Sequence, residues 1–462
     1  MINVKFLNKI KIEKVIENII YAFAFFLPLQ TRWIIKEGIL SGGVWEYGTY
    51  SLYYTDIILI CLLITVGWQF LKKRSVAIKA GSAIENKYFI IFLGIFLLSS
   101  FFSIFVATDK MLAGYIFLRL LSGVFILWAI TSIEFNKLYL LLSFISGATL
   151  QAVLGIWQFL SQTSFGSKWL GLALHNPFDL GVSVIETLNG ERWLRAYGGM
   201  DHPNVLGGML VISLLLLLLL IAQKNIWKLE IGNFKLKYLL FTVYFLLLTS
   251  LFFTFSRGAW AALLCGIIFL LTIFLITKRL FLQKGLFMIL LSGGVLIFVL
   301  FNLYSDLTLT RLSKDTRLEI KSFEERVDSY GDFKKIIKGN WLIGTGLGNY
   351  GLSLFNIYPG QSVWRYQPVH NVFLLVWGEI GVVGFLGWLG FLGWLGYHLF
   401  NKKNHYGTAI LMSLVILMVS DHWPWSIHFG VLFFWFILGV ILILDQEKSK
   451  VSAYLQNIKN KL

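Results

Sequence analysis

Charge is scarce in this chain. Of its 462 residues only 14% are Asp, Glu, Lys or Arg, against roughly 25% in soluble domains. With 57% hydrophobic residues as well, a soluble globule of this length is excluded. Cysteine is scarcer still. Cys61 and Cys265 both lie inside apolar runs, so neither a disulfide framework nor a paired-cysteine metal site is available. No HExxH, DxD or Cys/His ligand spacing occurs in the segments expected outside the membrane, and no metal cofactor is expected. No serine sits in a GxSxG elbow. Gly344-Thr345-Gly346-Leu347-Gly348 follows no strand and lacks the downstream acid of a dinucleotide site, so it is not a nucleotide loop.

Aromatics are plentiful, with 17 Trp and 41 Phe, as in helices that face lipid and end in interfacial belts. The net charge of +16 sits between apolar runs rather than on one basic face. That is the membrane pattern, and no nucleic-acid partner is expected. A span takes roughly 20 apolar residues. Such runs lie near 15–31, 54–71, 88–107, 111–132, 138–160, 204–222, 238–255, 259–277, 286–304, 371–398, 408–421 and 427–444. The expectation is an all-α integral membrane protein of about 12 transmembrane helices. Residues 1–304 hold the first nine spans and an outer loop, 161–203. Residues 305–370 form a large structured outer loop between the ninth and tenth helices, and 371–462 hold the last three spans and a tail.

Orientation follows from lysine and arginine. Lys72, Lys73, Arg74, Lys79, Lys224, Lys228, Lys235, Lys237, Lys278, Arg279, Lys284, Lys402, Lys403 and the Lys-rich tail fall on one side. The positive-inside rule makes that side cytoplasmic, with both termini inside. The basic segment Met1–Lys14 runs into a full span without a small-residue cleavage site, and reads as a retained tail. All six prolines (Pro28, Pro177, Pro203, Pro359, Pro368 and Pro424) then lie outside, where irregular backbone is tolerated. From Leu312 to Ile337 apolar residues recur among charges at helical spacing, which predicts one or two amphipathic helices along the outer surface. A glycine-rich turn follows at 339–351.

Four clusters fall at the outer mouth: Arg195 to Asn204, Ser256 to Trp260, Arg317 to Arg326, and His370-Asn371 with Glu379 one helical stretch later. Arginine presents a planar fork of donors that matches phosphate oxygens two at a time. Several arginines at one mouth suit an anion such as a lipid diphosphate. They also suit headgroup contacts or pairing with Asp201, Glu324 or Glu325. Arg257 is the least easily explained that way, since a hairpin tip beside Gly258 has little structural need for a guanidinium. His370 precedes a helix, where the dipole favours the neutral imidazole a general base requires. It equally suits an interfacial histidine bonded to a loop carbonyl. His202-Pro203-Asn204 can be a helix cap with Asn204 as capping residue. Glu379 lies within an apolar run, and either faces the bundle interior or is protonated; Arg119 poses the same problem with the opposite sign. A pair between them is possible. Asp421 and His422 are further candidates for polar lining.

RAYGGMDHPNVLGG (195–208), TFSRGAW (254–260), WLIGTGLGNY (341–350) and HNVFLLVWGEIGVVGF (370–385) occur in the order and spacing of a known family. From the third span to the tenth the chain resembles the O-antigen ligase and polymerase superfamily. That resemblance implies a GT-C-like, metal-independent membrane glycosyltransferase without cofactor. It would move a glycan from polyprenyl (undecaprenyl) diphosphate to a hydroxyl acceptor, with inversion, on the outer face of the cytoplasmic membrane. The partners it implies are that lipid-linked glycan, a glycan or lipid acceptor, and membrane lipids. By the same resemblance His370 activates the acceptor and Arg195, Arg257 and Arg326 hold the diphosphate. His202, Asn204, Arg317, Asn371, Glu379 and Arg119 are possible supports. A polymerase joining lipid-linked repeat units is the alternative, and a transporter or flippase of lipid-linked sugars is a second. A non-enzymatic scaffold that binds envelope polymers is a third.

Overall fold

The structure is a computed structural model in which residues 12–71, 86–222, 230–231, 234–277, 280–313 and 315–444 are described. Its helices are α1 (Ile12–Phe26), α2 (Tyr54–Leu71), α3 (Lys87–Val106), α4 (Lys110–Ser132), α5 (Lys137–Ser161), α6 (Pro203–Ile221), α7 (Leu236–Phe253) and α8 (Arg257–Ile276). They continue with α9 (Leu280–Leu303), α10 (Ser305–Leu312), α11 (Arg317–Asn340), α12 (Tyr350–Ile357), α13 (Val372–Asn401), α14 (His405–Ser420), α15 (Trp423–Ser426) and α16 (His428–Leu444). Among the described residues strands occur in short two-stranded pairs such as Val184–Glu186 with Arg192–Leu194. Among the described residues seven helices are long and apolar enough to cross a bilayer, an eighth joins them if α9 and the bent segment after it count as one, and three shorter apolar helices accompany them. This is an all-α membrane protein. Of the orienting residues, Lys72, Lys73, Arg74, Lys79, Lys224, Lys228, Lys278, Arg279, the first eleven residues and the C-terminal tail lie outside the described residues.

Burial orders the bundle. Along α6 and α16 nearly every residue is buried, as expected of helices apolar on every side rather than along one stripe. Around them α3 packs on α13, α4 on α16, α8 on α14 and α1 on α5. Short turns close two hairpins. Asp109 caps α4 by accepting from the Leu112 amide, and Ser256 caps α8 by accepting from the Ala259 amide.

The outer segment departs from its expected form. The helix Arg317–Asn340 buries Phe333 and Ile336 and sets Phe333 against Trp377 of α13. Ile320, Phe323 and Val327 remain exposed, so its apolar contacts lie in the C-terminal half, while the N-terminal half is anchored by the buried Glu319. The glycine-rich turn is a plug in a broken helix. At Gly381 (φ 71°, ψ 178°) α13 leaves helical geometry. The Thr345, Gly346 and Val382 amides then donate to Gly378 O, Glu379 O and Trp341 O at 2.9 Å each. A Cβ on Gly344 would lie 2.4 Å from Glu379 O, and one on Gly381 2.1 Å from Leu342 O. Only glycine permits both this backbone and this approach. Together the hairpins, this plug and the loop ahead of α13 bring the four sequence clusters to one end of the bundle.

Candidate active site

The loop before α6 is tied down from both sides. The Gln158 side chain accepts from the Tyr197 and Gly198 amides, Gln151 accepts from the Gly199 amide, and the Ala196 amide donates to Phe253 O. His202 caps α6, its Nδ1 accepting from the Asn204 amide at 3.1 Å, with Pro203 in the first turn. The capping residue is therefore His202 and not Asn204, which frees the Asn204 amide for another task. Its Oδ1 accepts from Arg195 at 2.9 Å and its Nδ2 donates to Asp421 Oδ2 at 2.8 Å. Burial pushes the His202 imidazole down to about 3, with Arg195 adding to the effect, so it is neutral.

Asp421 is the hub. It lies just after α14, is buried, and accepts on Oδ1 from the His422 amide at 2.8 Å. His370 Nδ1 lies 3.5 Å from the same oxygen and has no hydrogen-bond partner. The His370 and His422 rings stand 5.0 Å apart, and His422 Nδ1 meets Ser426 Oγ at 2.7 Å. Burial works to raise the Asp421 carboxyl. The His370 imidazole beside it, then His422 and His202, outweigh burial and hold it well below the usual carboxylate range. Burial pushes His422 down to about 4, with His370 adding to the effect and Asp421 opposing it. Asp421 is thus an ionised carboxylate beside the neutral imidazoles of His202 and His422 at neutral pH. Asn371 caps α13 by accepting from the Phe373 and Leu374 amides, which fixes His370 one position ahead of the helix.

Beside Asp421 opens a cleft lined by Asn204, Ser256, Arg257, Arg311, Arg326 and Ser420. Arg311 comes from α10. It donates to Phe255 O at 2.9 Å and is paired with Glu319, whose other oxygen lies 3.2 Å from Arg257. Arg257 also donates to Arg311 O at 3.2 Å. Three guanidiniums therefore line the cleft with one carboxylate, Asp421, and a second, Glu319, pairs with two of them from the side. A fourth, Arg195, is buried behind it and donates to Thr254 O, Ser183 Oγ and Asn204 Oδ1. Burial, and then the charge of Arg311, push the Arg195 pKa down. Positive charge is in excess and partly desolvated here.

The remaining sequence candidates are elsewhere. Arg317 is exposed and pairs with Glu186 at 3.3 Å, away from the cleft. Glu379 and Arg119 do not pair. Glu379 accepts from Trp425 Nε1 at 2.8 Å, while Arg119 donates to the Tyr115 hydroxyl at 2.8 Å and lies over that ring. A broken helix lets the indole reach the carboxyl, which the run of apolar residues around Glu379 does not reveal.

Residues 242–389 match the O-Antigen ligase family. Over that stretch the chain is similar to the O-antigen ligases. No curated protein matches it. The matched stretch contains Arg257, Arg311, Arg326 and His370, whereas Arg195, Asn204, Asp421 and His422 come from outside it and complete the cluster. Among the described residues His370, Asp421 and His422 also bring ligand-type atoms within 4.8 Å of one another. Both carboxylate oxygens are already hydrogen-bonded, to Asn204 and to the His422 amide. That suits an acid–imidazole contact, His370 Nδ1 standing 3.5 Å from Oδ1, better than a closed coordination shell.

Proposed function

We propose that this protein is a GT-C-like membrane glycosyltransferase. On this reading it transfers a glycan from a polyprenyl (undecaprenyl) diphosphate to an acceptor hydroxyl, with inversion and without a metal. The observation that carries this is the junction at Asp421, which lines the arginine cleft on one side and faces His370 on the other. In the step, the acceptor oxygen loses its proton to His370 Nε2 and bonds to the anomeric carbon. The bond from that carbon to the diphosphate oxygen breaks, and the lipid diphosphate leaves with the electron pair. His370 Nδ1, carrying the other proton, faces the Asp421 carboxylate, which stabilises the imidazolium as it forms. Which nitrogen carries the proton is assigned from these contacts.

A diphosphate is already a good leaving group. What the protein must supply is position and positive charge where negative charge grows. Arg257, Arg311 and Arg326 suit that role, with Arg195 setting Asn204 and hence Asp421 from behind. The Glu319 carboxylate between Arg257 and Arg311 occupies the kind of position a phosphate would take. The site is assigned to the outer face of the cytoplasmic membrane, with both termini inside, because Lys402 and Lys403 close the opposite end of α13.

The test is transfer by purified protein in lipid nanodiscs from a radiolabelled undecaprenyl-diphosphate oligosaccharide to a mixture of glycan acceptors. Release of undecaprenyl diphosphate coupled to acceptor labelling, unchanged by EDTA and lost in His370→Ala, is expected. Turnover by His370→Ala equal to wild type would end the reading, and loss of activity in EDTA would end its metal-free form.

A further inference from the structure

A second cleft lies on the other side of His370, and the outer helix α11 divides it from the first. Arg326 of α11 lines the arginine cleft. Glu325, Asp328, Ser329 and Asp332, spaced i, i+3, i+4 and i+7 on one stripe of the same helix, line the second. Its opposite wall is the loop Trp364 to Pro368, and His370 stands at its end. The two clefts therefore meet at the His370–Asp421 contact, and they carry opposite charge.

Three features of the second cleft point to a ligand. Tyr350 lines it, is almost fully buried, and its hydroxyl has no hydrogen-bond partner, a vacancy that costs free energy unless something arrives to fill it. Trp364 is 67% exposed at the rim, a flat apolar face held where a ring could stack. Asp328 and Glu325 are exposed carboxylates able to accept from hydroxyls or amines, although Glu325 also stands 3.7 Å from Lys321 on the same helix in a solvent-exposed pair. Asp332 is committed otherwise. It accepts from Arg365 at 2.5 Å and from the Tyr358 hydroxyl at 3.0 Å, and so holds the wall in place.

Resting on the transferase reading above, we infer that this cleft seats the acceptor sugar, and that the sugar is neutral or amino-bearing rather than phosphorylated or a uronic acid. Stacking on Trp364 presents the hydroxyls of a sugar ring to Asp328, Glu325 and Tyr350, and its far end to His370. A second anion next to those carboxylates would be repelled, while the donor's diphosphate is drawn to the arginines. Donor and acceptor are thus sorted by charge before the reaction, each to its own side of α11.

Binding can be read without turnover. Full-length protein in nanodiscs would be titrated by saturation-transfer NMR with three probes of equal length, namely chitotriose, its de-N-acetylated form and trigalacturonic acid. The first two should bind, and the acidic one should bind about tenfold more weakly or not at all. Trp364→Ala should weaken chitotriose by about tenfold, and Trp364→Phe should restore most of it. The pair Glu325→Gln with Asp328→Asn should erase the discrimination against trigalacturonic acid. Equal binding of all three probes to wild type, or chitotriose binding untouched by Trp364→Ala, would overturn the inference. Binding in the expected order by a protein inert with every donor would overturn the transferase reading instead and leave a sugar-binding cleft. His370-dependent transfer with probe binding indifferent to Trp364 and Asp328 would overturn the cleft alone.

Discussion

Replacing Asp421 by Asn removes one charge at nearly constant volume. His370 Nδ1 lies 3.5 Å from the carboxylate. At that separation, and with an effective dielectric of about 20, an imidazolium and a carboxylate attract by about 5 kcal/mol. His370 is a quarter exposed, and solvent screening leaves roughly half of that, about 2–3 kcal/mol. The attraction exists only when the imidazole is protonated, which is the state that develops as the acceptor proton is taken. It therefore belongs to the transition state, and a loss of about a hundredfold in kcat is expected. Asn cannot accept from both Asn204 and the His422 amide as Asp421 does, so a stability cost of about 1–2 kcal/mol should accompany it. The two effects separate in a steady-state assay of undecaprenyl diphosphate release, with unfolding followed in parallel. A variant that keeps kcat within about threefold of wild type, whatever its melting point, would refute a role for Asp421 in stabilising charged His370.

Other outcomes follow from the same geometry. Arg311→Lys loses the fork that serves Phe255 O and Glu319 at once, and should raise the donor KM about tenfold or more. Arg317→Ala, which removes only an exposed pair with Glu186, should stay within about twofold of wild type in the same assay. Gly381→Ala places a Cβ against Leu342 O in a conformation open only to glycine, and should cost about 3 kcal/mol or more, seen as a lower melting point. Acidification from pH 7 to 5 should also lower the melting point. His202 and His422 sit at about 3 and about 4 when folded against 6.5 as free groups. The folded state binds fewer protons in that window, and stability falls as pH falls through it. Asp201, exposed at the surface and raised to about 6, works the other way above pH 3.8, weakened by solvent screening. The net loss is about 2 kcal/mol, and a melting point flat between pH 7 and 5 would contradict it.

How much could be read beforehand differs from residue to residue. Helices stand where apolar runs of bilayer length stand, because hydrophobic length is a local property of the chain. Arg257 at its hairpin tip and His370 ahead of α13 could be singled out as residues without an evident structural task. Arg311 could not. Between Thr310 and Leu312 it looks like one more charge of the outer segment, and only the bend after α9 turns it inward to Phe255 O. Asp421 stood out merely as a polar end to a span, since its importance comes from Asn204 and His370, 217 residues away and 51 positions back in the chain. Arg195 and Arg326 look equivalent as arginines near the mouth. Three hydrogen bonds hold the first behind the cleft, while the second lines it. The same long-range closure separates Glu379 from Arg119 and gives each its own aromatic partner.

The central claim is that one cleft grips a lipid diphosphate beside His370. Equilibrium binding of undecaprenyl diphosphate, the proposed product, to protein in nanodiscs tests it without any knowledge of the sugars. Binding should weaken with added salt and fall at least about tenfold in Arg311→Ala and in Arg257→Ala, while Arg317→Ala binds as wild type does. Undiminished binding by both cleft variants would contradict it.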